Sequence, residues 1–126
     1  MSNYSTVKYE QKSCIYVTFE LEGFHAWLDA PDEVAFLRHE HRHLFKYKVA
    51  ISVVHNDRDI EFFLFKNELV KACTDGTINL QGSCEMRAEV ISGYLLFKYP
   101  GRAFTVEVSE DGENGAICSI TPFGPR

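Results

Sequence analysis

The fold is decided by residues 39–54, which read HEHRHLFKYKVAISVV. From the seventh residue of this stretch onward, every second side chain is a large apolar one: Phe45, Tyr47, Val49, Ile51 and Val53. Side chains two residues apart lie on the same face of a β-strand, so this alternation predicts a long strand with one buried face. The same parity places His41 and His43 on the buried face, at the start of the strand.

A second strand is predicted at residues 13–25, where alternation of the same kind involves Ile15, Val17, Phe19 and Leu21. His25 lies at the end of this strand, on the buried parity. Residues 4–12 are predicted to form a short strand leading into it. Residues 26–38 are predicted to be a loop, with one helical turn after Pro31.

The middle of the chain predicts two helices. The segment HNDR at residues 55–58 has turn chemistry and favours a hairpin return through residues 59–62. A first helix is expected over residues 62–73, with an apolar stripe of Phe63, Lys66, Val70 and Cys73, and Asp75-Gly76 ending it. A second helix is expected from Ser83, as its N-cap, to about Lys98, with a stripe of Met86, Val90, Ile91 and Leu95.

Two further strands follow, at residues 104–110 and 116–120, joined by the turn DGENG at residues 111–115. The order is therefore strands, then helices, then strands. Such grouping, without strict alternation of the two types, indicates an α+β fold with an antiparallel sheet. The 126 residues are expected to form a single domain, residues 1–126.

Composition excludes several classes of protein. The net charge is −5 and the basic residues are scattered, so no patch for nucleic acid is expected. No apolar run approaches the roughly 20 residues that span a membrane, and the first ten residues lack a signal-peptide core. Four cysteines, at positions 14, 73, 84 and 118, form no C-x-x-C pair. They are interpreted as reduced thiols, and the protein is predicted to be cytoplasmic.

The histidines are the strongest functional signal in the chain. Three of the five lie in residues 39–43, and His41 and His43 share one face of a strand. If this strand pairs with residues 13–25, His25 joins them at one end of the sheet. Three imidazole ligands with an open fourth position are typical of a catalytic zinc site. The alternative is a set of solvated histidines with no ion, and His39 is the member most easily explained in that way.

Several motifs in order resemble the 6-pyruvoyl- and 6-carboxy-tetrahydropterin synthase family. Residues 21–25 (LEGFH) and 41–45 (HRHLF) resemble its first ligand histidine and its H-G-H motif. Residues 60–66 (IEFFLFK) resemble its I-D-F-x-x-L-K, residues 83–85 (SCE) its P-T-x-E helix start, and residues 106–110 (VEVSE) its V-x-V-x-E. The resemblance covers roughly residues 13–120.

This resemblance implies the tunnelling fold, in which an antiparallel sheet carries two helices on one face. Subunits then join sheet edges into a barrel, here a homo-oligomeric ring that could be a hexamer. The resemblance also implies that His25, His41 and His43 bind Zn²⁺ and that Glu110 holds a pterin or purine-like ring. Ser83 and Cys84 are the matching substrate-binding residues at the helix start.

The chain departs from the family at its proton-transfer residues. Leu37 stands where the family has a cysteine, and residues 72–77 (ACTDGT) lack the relay histidine. The candidates to replace these groups are His39, Cys73, Asp75 and Glu33. Three functions are therefore expected as alternatives. One is a zinc-dependent lyase-like enzyme acting on a reduced pterin such as 7,8-dihydroneopterin triphosphate, and another is a diverged protein that binds such a ligand without turnover. The third is an assembly protein whose histidines are only structural.

Overall fold

The computed structural model describes residues 6–123 and contains the predicted α+β architecture. Its elements are β1 (Ser13–His25), a 3-10 helix (Asp32–Arg38), β2 (His41–Val53), α1 (Phe62–Thr74), α2 (Cys84–Lys98), β3 (Phe104–Glu110) and β4 (Asn114–Ile120). Within the described residues, the four strands form one antiparallel sheet in the order β1-β2-β3-β4.

The strand register brings distant residues to one end of the sheet. β1 and β2 pair along their whole lengths, from Ser13 opposite Val53 to His25 opposite His41. β3 pairs with β2 so that Glu110 lies opposite Phe45. The end of β1, the start of β2 and the end of β3 therefore lie together at the same end of the sheet.

Both helices pack on the same face of the sheet and close the core. Residues of β2, β3, α1 and α2 are wholly or almost wholly buried there: Phe45, Val49, Ile51, Val106, Leu69, Ile91 and Leu95. The other face of the sheet is charged, with Lys46 3.6 Å from Glu20 and Lys48 3.9 Å from Glu107. Burial of one apolar face provides the main driving force for this arrangement.

The start of α1 corrects two predictions. No strand forms over residues 59–62, because the Glu61 carboxylate accepts hydrogen bonds from the backbone N–H groups of Phe63 and Leu64 and caps the helix. The buried stripe of α1 is Phe65, Leu69 and Ala72. The predicted stripe is confirmed only in part, because Phe63 is 68% exposed, whereas Val70 and Cys73 are partly buried against the core. Four consecutive apolar residues open this helix, so the sequence alone left its buried face ambiguous.

The second helix begins as predicted, and its buried face agrees in part. The Ser83 hydroxyl accepts a hydrogen bond from the Met86 N–H at 3.2 Å, as an N-cap does. Ile91 and Leu95 are buried as expected, but Met86 and Val90 are exposed. The face of α2 that packs against the sheet includes the small residues Ala88 and Ser92, which are both buried. Their small size favours the packing of this face against the sheet.

Four strand and loop boundaries also differ from expectation. β4 begins at Asn114, two residues earlier than predicted, because Asn114 already pairs with Glu110 of β3. β2 begins at His41, because His39 follows directly on the 3-10 helix as its C-cap. Residues Asp32–Arg38 form two short 3-10 segments that meet at a kink at Val34, where a single helical turn was predicted. Residues 6–12 form no strand, and the first two residues of the predicted strand at 4–12 lie outside the described residues.

The described residues agree with two expectations from composition. Cys14, Cys73, Cys84 and Cys118 are all free, although only Cys84 is buried. In residues 6–123, no helix combines the length and the apolar character needed to cross a membrane.

Asp59 forms hydrogen bonds both to the end of the β2 segment and to the residues just before β3. Its charge should therefore make the stability of the fold depend on pH. Its carboxylate accepts hydrogen bonds from Arg102 Nη1 at 2.6 Å and from the Val54 N–H at 2.8 Å, which lower its pKa. Because the pKa of Asp59 is lower in the folded than in the unfolded protein, its ionised form stabilises the fold at pH values above the unfolded-state pKa of about 3.9. This stabilisation is lost as the pH falls through the folded-state pKa.

We therefore expect Asp59→Asn to lower Tm at pH 7, and the difference from the wild type to shrink below about pH 4. Thermal unfolding of both proteins from pH 7 to pH 2 measures this. A difference in Tm that stays constant over that range would show that the charge of Asp59 contributes nothing.

Candidate metal centre

Three histidines from two paired strands converge at the end of the sheet. One ring nitrogen from each of His25, His41 and His43 lies within 4.8 Å of the others. His25 is directly opposite His41, and His43 is directly opposite Gly23. A Cβ at Gly23 would lie 2.9 Å from the Phe45 ring, so glycine is needed there for the ring to pack beneath the histidines. The predicted convergence of the three imidazoles is confirmed.

In each of the three rings, the Nδ1 nitrogen lies within hydrogen-bond distance of an oxygen acceptor. His25 Nδ1 lies 3.1 Å from the Gly82 carbonyl, and His41 Nδ1 lies 2.8 Å from the His39 carbonyl. His43 Nδ1 lies 2.7 Å from Asp111 Oδ2. Carbonyl and carboxylate oxygens only accept hydrogen bonds, so each Nδ1 carries the proton and donates it. In a neutral imidazole this leaves a lone pair on Nε2, as in a metal-ligating histidine.

The three Nε2 atoms have no hydrogen-bond partner within the described residues, although each is buried. A buried polar atom without a partner is costly, and three at one point are rare in a native fold. A metal ion satisfies all three lone pairs at once. The donor set is three neutral imidazoles, which suits zinc among the common protein metals, with a further position left open.

Glu110 adds negative charge at the same point. Its Oε2 is 2.8 Å from His43 Nε2 and its Oε1 is 3.9 Å from His25 Nε2. The shorter contact is not directed along a ring N–H, since His43 Nε2 makes no hydrogen bond. A carboxylate facing unprotonated nitrogens is repulsive, and a cation bound between them would reverse the sign of the interaction.

A second layer of residues orients the three histidines. Gly82 has a φ of +84°, a conformation that glycine adopts without strain, and this turn supplies the carbonyl that accepts from His25. Asp111 has a φ of 58° and uses its other oxygen to accept the Leu44 N–H at 2.8 Å. The hydrogen bonds from His43 and then Leu44 lower the pKa of Asp111, so the carboxylate stays ionised near neutral pH.

Asp111→Asn should weaken zinc binding about ten- to hundredfold, because a neutral amide orients and polarises His43 less well than a carboxylate does. Asparagine tolerates the same left-handed backbone, so the turn should persist. Calorimetric zinc titration of wild type and variant measures the change. Equal zinc affinities would mean that Asp111 has only a structural role in the turn.

A pocket of about 400 Å³ opens beside the histidines. Of the predicted site residues, it is lined by His25, His41, Glu110, Ser83 and Cys84. Its other walls are Ala26, Trp27, Leu37, Gly82, Glu85 and Met86. Burial, followed by the nearby Glu110 charge, raises the pKa of Cys84 to about 11, so its thiol stays protonated. The pocket thus combines apolar walls with carboxylates beside the histidine cluster.

The candidate proton-transfer residues do not line this pocket. His39 is exposed and contributes its backbone carbonyl to His41. Cys73 lines a separate cavity, and burial raises the pKa of its thiol to about 12. Asp75 is exposed and accepts hydrogen bonds from the N–H and hydroxyl of Thr77, as expected of a turn residue, and Glu33 is exposed on the 3-10 helix.

Sequence patterns did not identify three residues of the site. Asp111 follows Glu110 in a turn-forming segment, and only the register of β3 against β2 brings it to His43. Gly82 precedes Ser83, the N-cap of α2. Apart from being a glycine, it lies in no sequence pattern that would predict its positive φ. Trp27 lies in the loop after β1 and was not assigned a role.

Comparisons of the chain with protein-family models, with curated proteins and with solved structures find no match.

Proposed function

We propose that the protein is a zinc-dependent lyase-like enzyme that acts on a reduced pterin such as 7,8-dihydroneopterin triphosphate. Its place would be in tetrahydropterin or deazaguanine (queuosine-type) biosynthesis. The observation that carries the proposal is the convergence of three buried, unpartnered Nε2 atoms next to Glu110 at one pocket. The family resemblance implies that the three histidines bind the metal and that Glu110 binds the ring. Their positions in the pocket are compatible with these two roles.

Each part of the pocket suits one part of such a substrate. The Glu110 carboxylate can accept two parallel N–H bonds from the amino-pyrimidinone edge of a pterin. Trp27 and Met86 supply apolar surface for the ring. The Ser83 hydroxyl accepts from Met86 N–H and keeps its own proton to donate to an oxygen of the ligand. A volume of about 400 Å³ falls within the usual range for small-molecule sites.

Zinc held by His25, His41 and His43 would act as a Lewis acid on side-chain oxygens of the substrate. The residues of the chain then bind and orient the ring, limit access of water and keep the three imidazoles in their ligating tautomer. Because Glu110 is occupied by the ring, Glu85 is the carboxylate of the pocket that is available to accept a proton.

The sheet supports the further proposal of a tunnelling fold that assembles into a homo-oligomeric ring. In the described residues, β1 and β4 are the two edges of the sheet, and edge strands offer unpaired backbone groups for pairing with another subunit. The charged face opposite the helices suits the water-filled interior of a barrel. The four free thiols fit a reducing, cytoplasmic location.

A second candidate function is binding of the same ligand class without turnover. It is favoured by the positions of His39, Cys73 and Asp75, none of which lines the pocket. In that case the protein would sequester or sense a pterin- or purine-like molecule through zinc and Glu110.

The decisive assay incubates zinc-loaded protein with 7,8-dihydroneopterin triphosphate and follows release of triphosphate, the leaving group of a carbon–oxygen lyase. We expect release by the wild type and none by His41→Ala. Glu110→Gln should keep zinc but bind the pterin at least about tenfold more weakly, since it loses a charge-assisted acceptor. Binding without release would establish the second candidate, and neither binding nor release would contradict both.

A further inference from the structure

Arg87 is a buried cation for which the described part of the chain supplies no acidic partner. It lies in α2, its side chain and backbone together are only 3% exposed, and it faces the sheet. Among residues 6–123, no carboxylate forms an ion pair with it. A guanidinium keeps its proton at every accessible pH, so the charge cannot be removed by titration. Buried charges without a counter-charge are costly, and native proteins rarely retain them.

The partners that Arg87 does have are all neutral. Its Nε donates to the Gly82 carbonyl at 3.1 Å, and Nη1 donates to the Tyr47 hydroxyl at a long 3.4 Å. The guanidinium also lies over the Phe45 ring, 3.8 Å from its centroid. These contacts solvate the group in part. Within the described chain, Nη2 has no hydrogen-bond acceptor.

The guanidinium lines a cavity of about 190 Å³ with Tyr47, Cys73 and Leu80. This cavity shares no lining residue with the pocket beside the histidines. The Tyr47 oxygen accepts from Arg87, so the Tyr47 proton remains available to donate.

Among the described residues that surround the cavity, the positive charge of Arg87 is left without a compensating negative charge. Burial raises the pKa of both Tyr47 and Cys73, so the phenol and the thiol stay protonated and add no negative charge. Glu22 also lines the cavity, but its carboxylate is paired with Arg42 at 2.7 Å. Arg42 is thus committed to Glu22, and the guanidinium of Arg87 remains the uncompensated charge.

We propose that this cavity is a binding site for a small oxyanion of the phosphate class, held by the Arg87 guanidinium and the Tyr47 hydroxyl. A planar guanidinium presents two parallel N–H groups to the oxygens of such an anion. One water molecule takes up about 30 Å³ in the liquid. The cavity therefore has room for a tetrahedral oxyanion, and it is smaller than the roughly 300 Å³ at which sites for larger ligands begin. The proposal does not depend on the function of the metal centre.

The test uses inorganic phosphate as the probe and compares it with chloride at equal ionic strength. Calorimetric titration and thermal unfolding are applied to the wild type, Arg87→Met, Tyr47→Phe and the control Arg58→Met. Arg58 lies in the exposed turn after β2, so its replacement makes the same change of charge outside the cavity. His41→Ala is included because phosphate could also bind a metal at the histidines.

We expect phosphate to bind the wild type, Arg58→Met and His41→Ala alike and to raise their Tm. Arg87→Met should bind phosphate roughly ten- to hundredfold more weakly, because it loses charge-assisted hydrogen bonds. Tyr47→Phe should bind it roughly three- to tenfold more weakly, through the loss of one neutral hydrogen bond. Arg87→Met should remain folded without phosphate, since an apolar side chain of similar length replaces a buried charge.

Two results would overturn the proposal. One is a wild type whose Tm responds to phosphate no more than to chloride. The other is phosphate binding that survives Tyr47→Phe and Arg87→Met but disappears in His41→Ala, which would assign the anion to the metal centre. If Arg87→Met does not fold, Tyr47→Phe decides the question on its own.

Discussion

Replacing His41 with alanine should lower the affinity for zinc by more than about 100-fold, whereas His39→Ala should leave it nearly unchanged. Both histidines belong to the same five-residue stretch, HEHRH. His41 contributes a buried Nε2 to the cluster, and its loss would remove one of the three proposed ligands. Loss of a residue that only orients a ligand already costs ten- to hundredfold. His39 contributes a backbone carbonyl, which alanine also has.

Zinc titration of chelator-treated protein, in competition with an indicator of known affinity, measures both variants against the wild type. The pair is matched in composition and in position along the chain, so a general effect of removing a histidine is controlled. An equal loss of affinity in both variants would show that the His39 ring binds the metal and that the geometry of β2 is different. No loss in His41→Ala would exclude the three-histidine centre.

Replacing Phe45 with alanine should destabilise the protein by about 3–5 kcal/mol, the usual cost of truncating a buried phenylalanine. Phe45 has no exposed surface and lies between the histidine cluster and Arg87 of α2. Its ring centroid is 5.5 Å from that of His25 and 5.7 Å from that of His43, and the Arg87 guanidinium lies 3.8 Å from it. The cavity left by alanine would therefore remove the support beneath two histidines of the cluster.

Chemical denaturation gives the free energy of unfolding of Phe45→Ala, and Phe97→Ala is its control. Phe97 is 83% exposed, so its truncation should change stability by no more than about 0.5 kcal/mol. We also expect Phe45→Ala to bind zinc more weakly than the wild type, because His25 and His43 lose the packing that fixes their rings. A loss below about 1 kcal/mol would show that Phe45 is not the core residue described here.

The sequence predicted the strands and the histidine cluster because both depend on local alternation. Period two in residues 13–25 and in β2 put His25, His41 and His43 on one face, and antiparallel pairing then made them neighbours. The Ser83 cap also followed from residue type alone. These features need no knowledge of residues far away along the chain.

Other features depend on contacts between distant segments and could not be predicted in this way. Asp111 meets His43 across 68 positions of sequence, through the register of β3. The buried face of α1 was predicted only in part, because Phe62, Phe63, Leu64 and Phe65 offer apolar surface in every direction. Packing against the sheet selects Phe65 and not the predicted Phe63. The burial of Arg87 is not predicted by its residue type, since arginine is seldom buried without a partner.

The metal content of the purified wild-type protein tests the three-histidine centre most directly, and plasma emission spectrometry measures it after growth with added zinc. We expect about one zinc ion per chain, retained through gel filtration. A cobalt-substituted sample should in addition show the absorption of a four-coordinate ion. Protein that contains no metal after zinc supplementation, and that takes up none on titration, would contradict the assignment of His25, His41 and His43 as a metal centre.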